Sequence, residues 1–368
     1  MSINQTRSPS DADLPRLLAR GLDSLFVSYY LDFSESSIDW AEISTAKERI
    51  KHARGRNFVE LKLGNQGFAL MPYGRKPYTY VLSNRLFEIA LGEHMSPACT
   101  VRYSSEALWV HGFEALEQTL TAWFASLKCR ETRNNAISRA DWAFDYDFNG
   151  RDLKVEDFVS RASKDAVWRE NQSNQTLQFG KGNIVIRVYD KISEIAQQSL
   201  KSWFFDIWKQ RENVWRIEFQ VRAPRLKQGG INTTETIAIL QNDLLRELAA
   251  NHTTLRAPTE DSNRSRWPLH PLWQSLLADI AAMSQTGLVE AINPEQSLEY
   301  RLYMQSKSVY GHLKSMAALK TIRVNAAEPI SLEEMLKALP TMLSKFHQPY
   351  NWKHEVLERI TKHNLGIP

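Results

Sequence analysis

Three segments alternate so regularly that little other than adjacent strands of one sheet can accommodate them. In ISRADWAFDYD (137–147), Arg139, Asp141, Ala143, Asp145 and Asp147 fall on one side, and Ala140, Trp142, Phe144 and Tyr146 on the other. In VWRIEFQVR (214–222), Arg216, Glu218, Gln220 and Arg222 oppose Ile217, Phe219 and Val221. In KGNIVIRVYDKIS (181–193), Arg187, Tyr189 and Lys191 share a face. Side chains of a strand point alternately to its two faces. Each segment therefore predicts an aromatic or aliphatic face turned to a core and a second face carrying acids, arginines and a tyrosine.

The rest of the chain sets this sheet in an α+β protein. Its 368 residues exceed what a single compact core usually organises, which predicts two domains. With 43% apolar residues there is enough material for a substantial core, and a net charge of +4 permits acidic partners without demanding them. Cys99 and Cys129 are the only cysteines, which excludes a cysteine-rich zinc module and suits a reduced compartment. The opening residues lack a basic start followed by an apolar stretch, and no segment is apolar for the length of a bilayer, so a cytoplasmic protein without a membrane partner is expected.

Composition changes along the chain. Residues 1–20 are expected to be a mobile tail, 21–228 a domain of mixed strands and helices, and 229–368 a helical domain for DNA recognition or oligomerisation. The mixed part holds a helix over AEISTAKERIKHA, a meander through FVELKLGNQGFAL and YTYVLSNRLFEIAL, and an amphipathic helix over FEALEQTLTAWFASL. VEDFVSRASKDAVW has helical spacing, and the glycines of GKGN (180–183) predict a hairpin turn. Beyond APRLKQGG every apolar pattern is helical, and PTEDSNRSRWP has the composition of a linker or exposed loop. The fold expected is thus a largely antiparallel sheet with helices on one face, its acidic and tyrosine-bearing face open, followed by the helical domain.

Asp141 and Glu218 on neighbouring strands are the first candidates for holding a hard divalent cation such as Mg2+ or Mn2+. Pairing of the same acids with Arg139, Arg187, Arg216 or Lys191 on a solvated face is the plainer alternative. Tyr189 needs a cation nearby to act as a nucleophile, because a phenol with a pKa of about 10 is protonated at neutral pH. Arg187 and Lys191 flank it. The nine histidines form no His-x-His pair.

Taken in order, ISRADWAFDYD, TLQFGKGNIVIRVYDKISE and WRIEFQVR resemble the replication initiation factor family of rolling-circle plasmid and phage initiators and related conjugative relaxases. The likeness covers roughly residues 22–225 and excludes the C-terminal helices. It implies Tyr189 as a nucleophile that nicks and rejoins one DNA strand at an origin, leaving a 5′-phosphotyrosine and a free 3′-hydroxyl. It implies Asp141 and Glu218 as ligands of a divalent metal, Lys191 and Arg187 as supports of the phosphate or phenolate, and Glu194 as a further ligand or base. A single-stranded or supercoiled origin, a helicase and a single-strand binding protein are the partners it implies, while contacts with a second copy of the chain are an expectation for the helical domain. FGKGN departs from the family's Gly-Ser-Arg-x-Ser hairpin, and the aromatic insertion over 195–213 has no role beyond packing or DNA stacking. Tyr146 is the substitute nucleophile if Tyr189 is buried. A catalytically inactive DNA-binding protein on the same fold is the alternative, and a structural protein with a solvated sheet face the third reading.

Overall fold

The computed structural model describes residues 15–52, 58–170, 173–283 and 294–364. In chain order, β1 (Arg16–Asp32) and α1 (Trp40–His52) precede a meander of β2 (Val59–Leu63), β3 (Gln66–Leu70), β4 (Tyr80–Ser83), β5 (Phe87–Leu91) and β6 (Cys99–Tyr103). Next come α2 (Ser105–His111), α3 (Phe113–Ser126), β7 (Arg130–Asp147), β8 (Phe158–Ser160), β9 (Asp165–Glu170), β10 (Ser173–Phe179), β11 (Ile184–Asp190), α4 (Lys191–Glu194), α5 (Phe204–Trp208) and β12 (Val214–Arg222). They are followed by α6 (Ala223–Gln228), α7 (Thr234–Glu247), β13 (Thr253–Leu255), α8 (Pro271–Ala281), α9 (Pro294–Val324), α10 (Leu332–Leu343) and α11 (Pro349–Asn364).

Eleven strands form one sheet in the order β2-β3-β4-β5-β6-β1-β7-β12-β11-β10-β9, and every pair is antiparallel. The three segments singled out by alternation lie side by side as β7, β12 and β11. The long strands β1 and β7 join the meander to the hairpin half, with bulges that change the facing of residues along both. The β10–β11 hairpin turns through GKGN as expected. Gly180 has a φ of +92°, and a Cβ there would stand 2.4 Å from the Ile184 carbonyl oxygen, so only glycine fits.

Trp142, Phe144 and Tyr146 project onto the face covered by α3, α7 and α8. Trp142 Nε1 donates to Gln241 of α7 at 3.0 Å, and the Tyr146 hydroxyl to Asp279 of α8 at 2.7 Å. Glu117 of α3 accepts from the buried Tyr29 at 2.8 Å. Ile237, Leu244, Leu245, Leu272, Trp273 and Leu276 complete this core.

Four expectations change here. Strand β1 begins at Arg16, so residues 16–20 are sheet and not tail, while residues 1–14 lie outside the described residues. The helix expected over VEDFVSRASKDAVW is instead a short 3-10 turn followed by β8 and β9, because β9 pairs with β10 and β8 with β13. The compact units divide after Ile292 and not at 228/229. Helices α6–α8 belong to the first unit because their apolar faces are needed to cover the sheet, and PTEDSNRSRWP is an exposed loop within that unit. Finally, the acidic face is not open along its whole length, since α2 and the segment around α5 pack against it.

The second unit comprises α9, α10 and α11. A capping box opens α10, with Ser331 Oγ accepting from Glu334 N while the Glu334 carboxylate accepts from Ser331 N at 2.9 Å. Leu313 and Met335 are buried, while Tyr350 and Trp352 are exposed. Among the described residues no helix is long and apolar enough to cross a membrane.

Candidate active site

Cross-strand partners share a face, so the register assembles the site row by row. Tyr189 stands opposite Arg216 and Arg216 opposite Asp145; Arg187 stands opposite Glu218 and Glu218 opposite Ala143; Gln220 stands opposite Asp141. The Tyr189 hydroxyl donates to Glu218 Oε2 at 2.9 Å, and Arg187 Nη1 donates to Glu218 Oε1 at 2.7 Å. Arg187 Nε is held by Gln178 Oε1 at 2.9 Å. Glu218 thus has one oxygen on the phenol and one on a guanidinium.

Asp141 lies diagonally across from Glu218 and accepts from Arg139 Nε at 2.8 and 3.1 Å. Burial pushes its carboxyl up to about 6, with the Arg139 bond opposing and the Glu218 charge adding to the shift. An acid whose folded pKa is raised binds its proton more tightly in the native state, so stability falls as pH rises from the unfolded to the folded value. For Asp141 that window runs from about 4 to about 6, and the fall amounts to about 3 kcal/mol. Urea unfolding should therefore show Asp141→Asn gaining about that much on the wild type between pH 4 and pH 7. A stability difference that stays flat across this window would mean that the carboxyl ionises normally.

In the row of Tyr189 itself lies a buried charge network. Arg216 is 0% exposed. Its Nε and Nη2 donate to Asp145 at 2.6 and 2.8 Å, and its Nη1 donates to Asp23 at 3.0 Å. The guanidinium lies 4.4 Å from the Phe204 ring centroid and 5.5 Å from that of Trp109. Trp208 Nε1 donates to Asp145 at 3.0 Å, and Trp109 Nε1 to Asp23 at 2.8 Å. Asp23 is brought in by a bulge, for β1 slips register between Leu22 and Ser24. Burial alone would raise its carboxyl, but Lys201, Arg216 and Lys191 hold it well below the usual carboxylate range.

Asp190 ends β11 immediately after Tyr189 by capping α4, its carboxylate accepting from Ser193 N at 3.0 Å and Ser193 Oγ at 2.9 Å. This turn folds Lys191, 2% exposed, back over the tyrosine, with Nζ 5.7 Å from the Tyr189 ring centroid and 5.3 Å from that of Phe204. Burial, with Arg216 and Lys201 nearby, pulls the Lys191 ammonium down to about 8. The Tyr189 phenol, only 7% exposed, is raised well above its ordinary value by burial and by the Glu218 charge.

The structure therefore brings Asp141, Glu218, Arg187, Tyr189 and Lys191 together, with Glu194 joined to them through Lys191 and close enough for its charge to act on Tyr189. The Glu194 carboxylate pairs with Lys191 Nζ and accepts from Ser199 Oγ at 3.1 Å. Among the described residues no three His, Cys, Asp or Glu side chains are placed to share an ion. Asp141 and Glu218, with Gln220 in the row of Asp141, are the acids that would hold a hard cation, each now accepting from an arginine, Asp141 from Arg139 and Glu218 from Arg187. They are like charges on one sheet face, and the raised Asp141 carboxyl is a charge that a cation would relieve. Tyr146 does not serve as a substitute nucleophile, because it is buried on the opposite face and bonded to Asp279. Asp23, Trp109 and Trp208 were absent from the sequence candidates.

No family model and no curated protein matches this sequence. Among solved structures the fold is similar to a rolling circle replication initiator protein from Geobacillus stearothermophilus, at 17% identity and a TM-score of 0.39, over 75% of this chain and 99% of that one.

Proposed function

We propose that this protein nicks and rejoins one strand of DNA at an origin by tyrosine transesterification. The observation that carries this reading is the Tyr189 hydroxyl donating to Glu218 Oε2 at 2.9 Å, on the sheet face that also bears Asp141, Arg187 and Lys191. On this reading Glu218, which accepts the phenolic hydrogen bond, takes the proton as Tyr189 Oη attacks a phosphodiester. A bond forms from Oη to phosphorus and the bond to the 3′ oxygen breaks, the 3′ oxygen taking up a proton from water, which leaves a 5′-phosphotyrosine and a free 3′-hydroxyl. One phosphoester replaces another, so the step reverses without an external energy source. Arg187, stretched between Gln178 and Glu218, and Lys191 over the ring supply positive charge for the phosphate oxygens. Asp141 and Glu218 would hold Mg2+ or Mn2+, which supplies Lewis-acid polarisation of the phosphodiester when bound. On the same reading a helicase, a single-strand binding protein and a second copy are partners in replication.

The burial of Tyr189 favours a second reading, an inactive DNA-binding protein on this fold. Supercoiled plasmid carrying the cognate origin separates the two. With Mg2+ or Mn2+ present, the nicking reading expects open circles and DNA bound covalently to protein after denaturation. A protein that retains the plasmid but leaves it closed is a binder.

A further inference from the structure

The face that carries Tyr189 continues past the carboxylates onto the first half of the sheet. Ser24 stands beside Asp141, and Phe26 beside both Arg139 of β7 and Arg102 of β6. Further along β1, Tyr30 stands beside Arg133. The guanidinium groups of Arg102 and Arg139 lie 5.6 and 5.3 Å from the Phe26 ring centroid, one from each flanking strand. That of Arg133 lies 3.5 Å from the Tyr30 centroid. Arg139 is also bonded to Asp141, whereas Arg102 and Arg133 are exposed and make no ion pair among the described residues.

Two unpaired guanidinium groups resting on aromatic rings are poised for an anion. Stacking on a ring uses the flat face of the guanidinium and leaves its edge N–H groups directed outward, in the fork that matches phosphate oxygens. The ring also fixes the side chain, so less rotamer freedom remains to be lost on binding. From β6 to β11 there are four strand-to-strand steps, about 19 Å across the sheet, and Phe26 and Tyr30 lie about 23 and 36 Å along β1 from Ala19 in the row of Tyr189, a path along which a single strand of several nucleotides can lead to the recessed Tyr189. Bases of an unpaired strand can stack on the rings and guanidinium planes, whatever their sequence.

We propose that Phe26, Tyr30, Arg102 and Arg133 form a sequence-independent clamp for the phosphodiester backbone of single-stranded DNA, feeding the strand across β1 toward Tyr189. Only the direction of feeding rests on the nicking reading; the clamp itself does not. The test is fluorescence anisotropy of a fluorescein-labelled oligothymidylate of about 15 nucleotides, titrated over a range of NaCl concentrations. Binding by the wild type should weaken at least about tenfold at low salt in the Arg102→Ala/Arg133→Ala variant, with a salt slope shallower by about 1.4. The paired Arg→Lys variant should keep the wild-type slope with intermediate affinity, since lysine retains the charge and loses the stacking.

Both arginines are exposed, so their loss leaves the core intact. Wild-type affinity and slope in the double-alanine variant would overturn the clamp, as would a wild type that does not bind the oligonucleotide. Covalent adduct formation with origin DNA in Mg2+ or Mn2+, assayed on the same proteins, keeps the two readings apart. Adduct formation with binding unchanged in the double-alanine variant sinks the clamp and leaves nicking standing. Arginine-dependent binding without any adduct supports the clamp and sinks nicking.

Discussion

Tyr189→Phe should form no denaturation-resistant adduct with origin DNA in Mg2+ or Mn2+ while remaining folded. Removing a nucleophile costs on the order of a millionfold in rate, which leaves nothing detectable on a gel. The structural cost is small by comparison. The variant loses one hydrogen bond at Glu218 Oε2, worth about 1 kcal/mol, and Arg187 still holds the other oxygen. The ring stays under Lys191 and beside Arg216. Binding should therefore match the wild type, and denaturant unfolding should show a loss of no more than about 1 kcal/mol, while adduct formation disappears. An adduct that survives in Tyr189→Phe would remove Tyr189 from the chemistry. Tyr146 would not inherit the role, because its hydroxyl is engaged by Asp279 on the far side of the sheet.

The core of this site was legible because a strand's period of two is rigid. Once β7, β11 and β12 are adjacent and antiparallel, Arg187, Glu218, Asp141 and Arg216 must share a face. What alternation does not carry is a change of register, and Asp23 enters through one. Trp109 and Trp208 read as core by composition, and they are buried, but their indole N–H groups also serve Asp23 and Asp145. Periodicity misled at VEDFVSRASKDAVW, where Val155, Phe158 and Ala162 recur at helical spacing but long-range pairing with β10 and β13 decides the structure. The boundary at 228/229 failed for a related reason. The apolar faces of α7 and α8 look the same whether they pack on one another or on Trp142 and Tyr146, and only the tertiary structure distinguishes these cases.

The largest expected loss of stability is at Arg216. Its guanidinium has no access to solvent and neutralises Asp145, itself 0% exposed, together with Asp23. Burial would pull the arginine down, yet the Asp145 charge more than offsets it and holds the guanidinium firmly charged. Arg216→Met keeps much of the apolar length and removes the charge, leaving Asp145 buried with only the Trp208 N–H for company. Removing one partner of a buried pair costs about 3–5 kcal/mol, a large share of the 5–15 kcal/mol that usually holds a domain folded. By contrast, Arg187→Met breaks a pair nearer the surface and should cost roughly 1 kcal/mol or less. Urea unfolding of the two variants side by side measures the difference. Arg216→Met should also loosen the cover around Tyr189, because Phe204 stacks on this guanidinium and Trp208 bonds to the same aspartate. Faster proteolysis within residues 195–213 would report that loosening. Near-wild-type stability with an unchanged digestion pattern would mean that apolar packing of Trp203, Phe204, Phe205 and Trp208, and not the charge network, holds the insertion on the sheet.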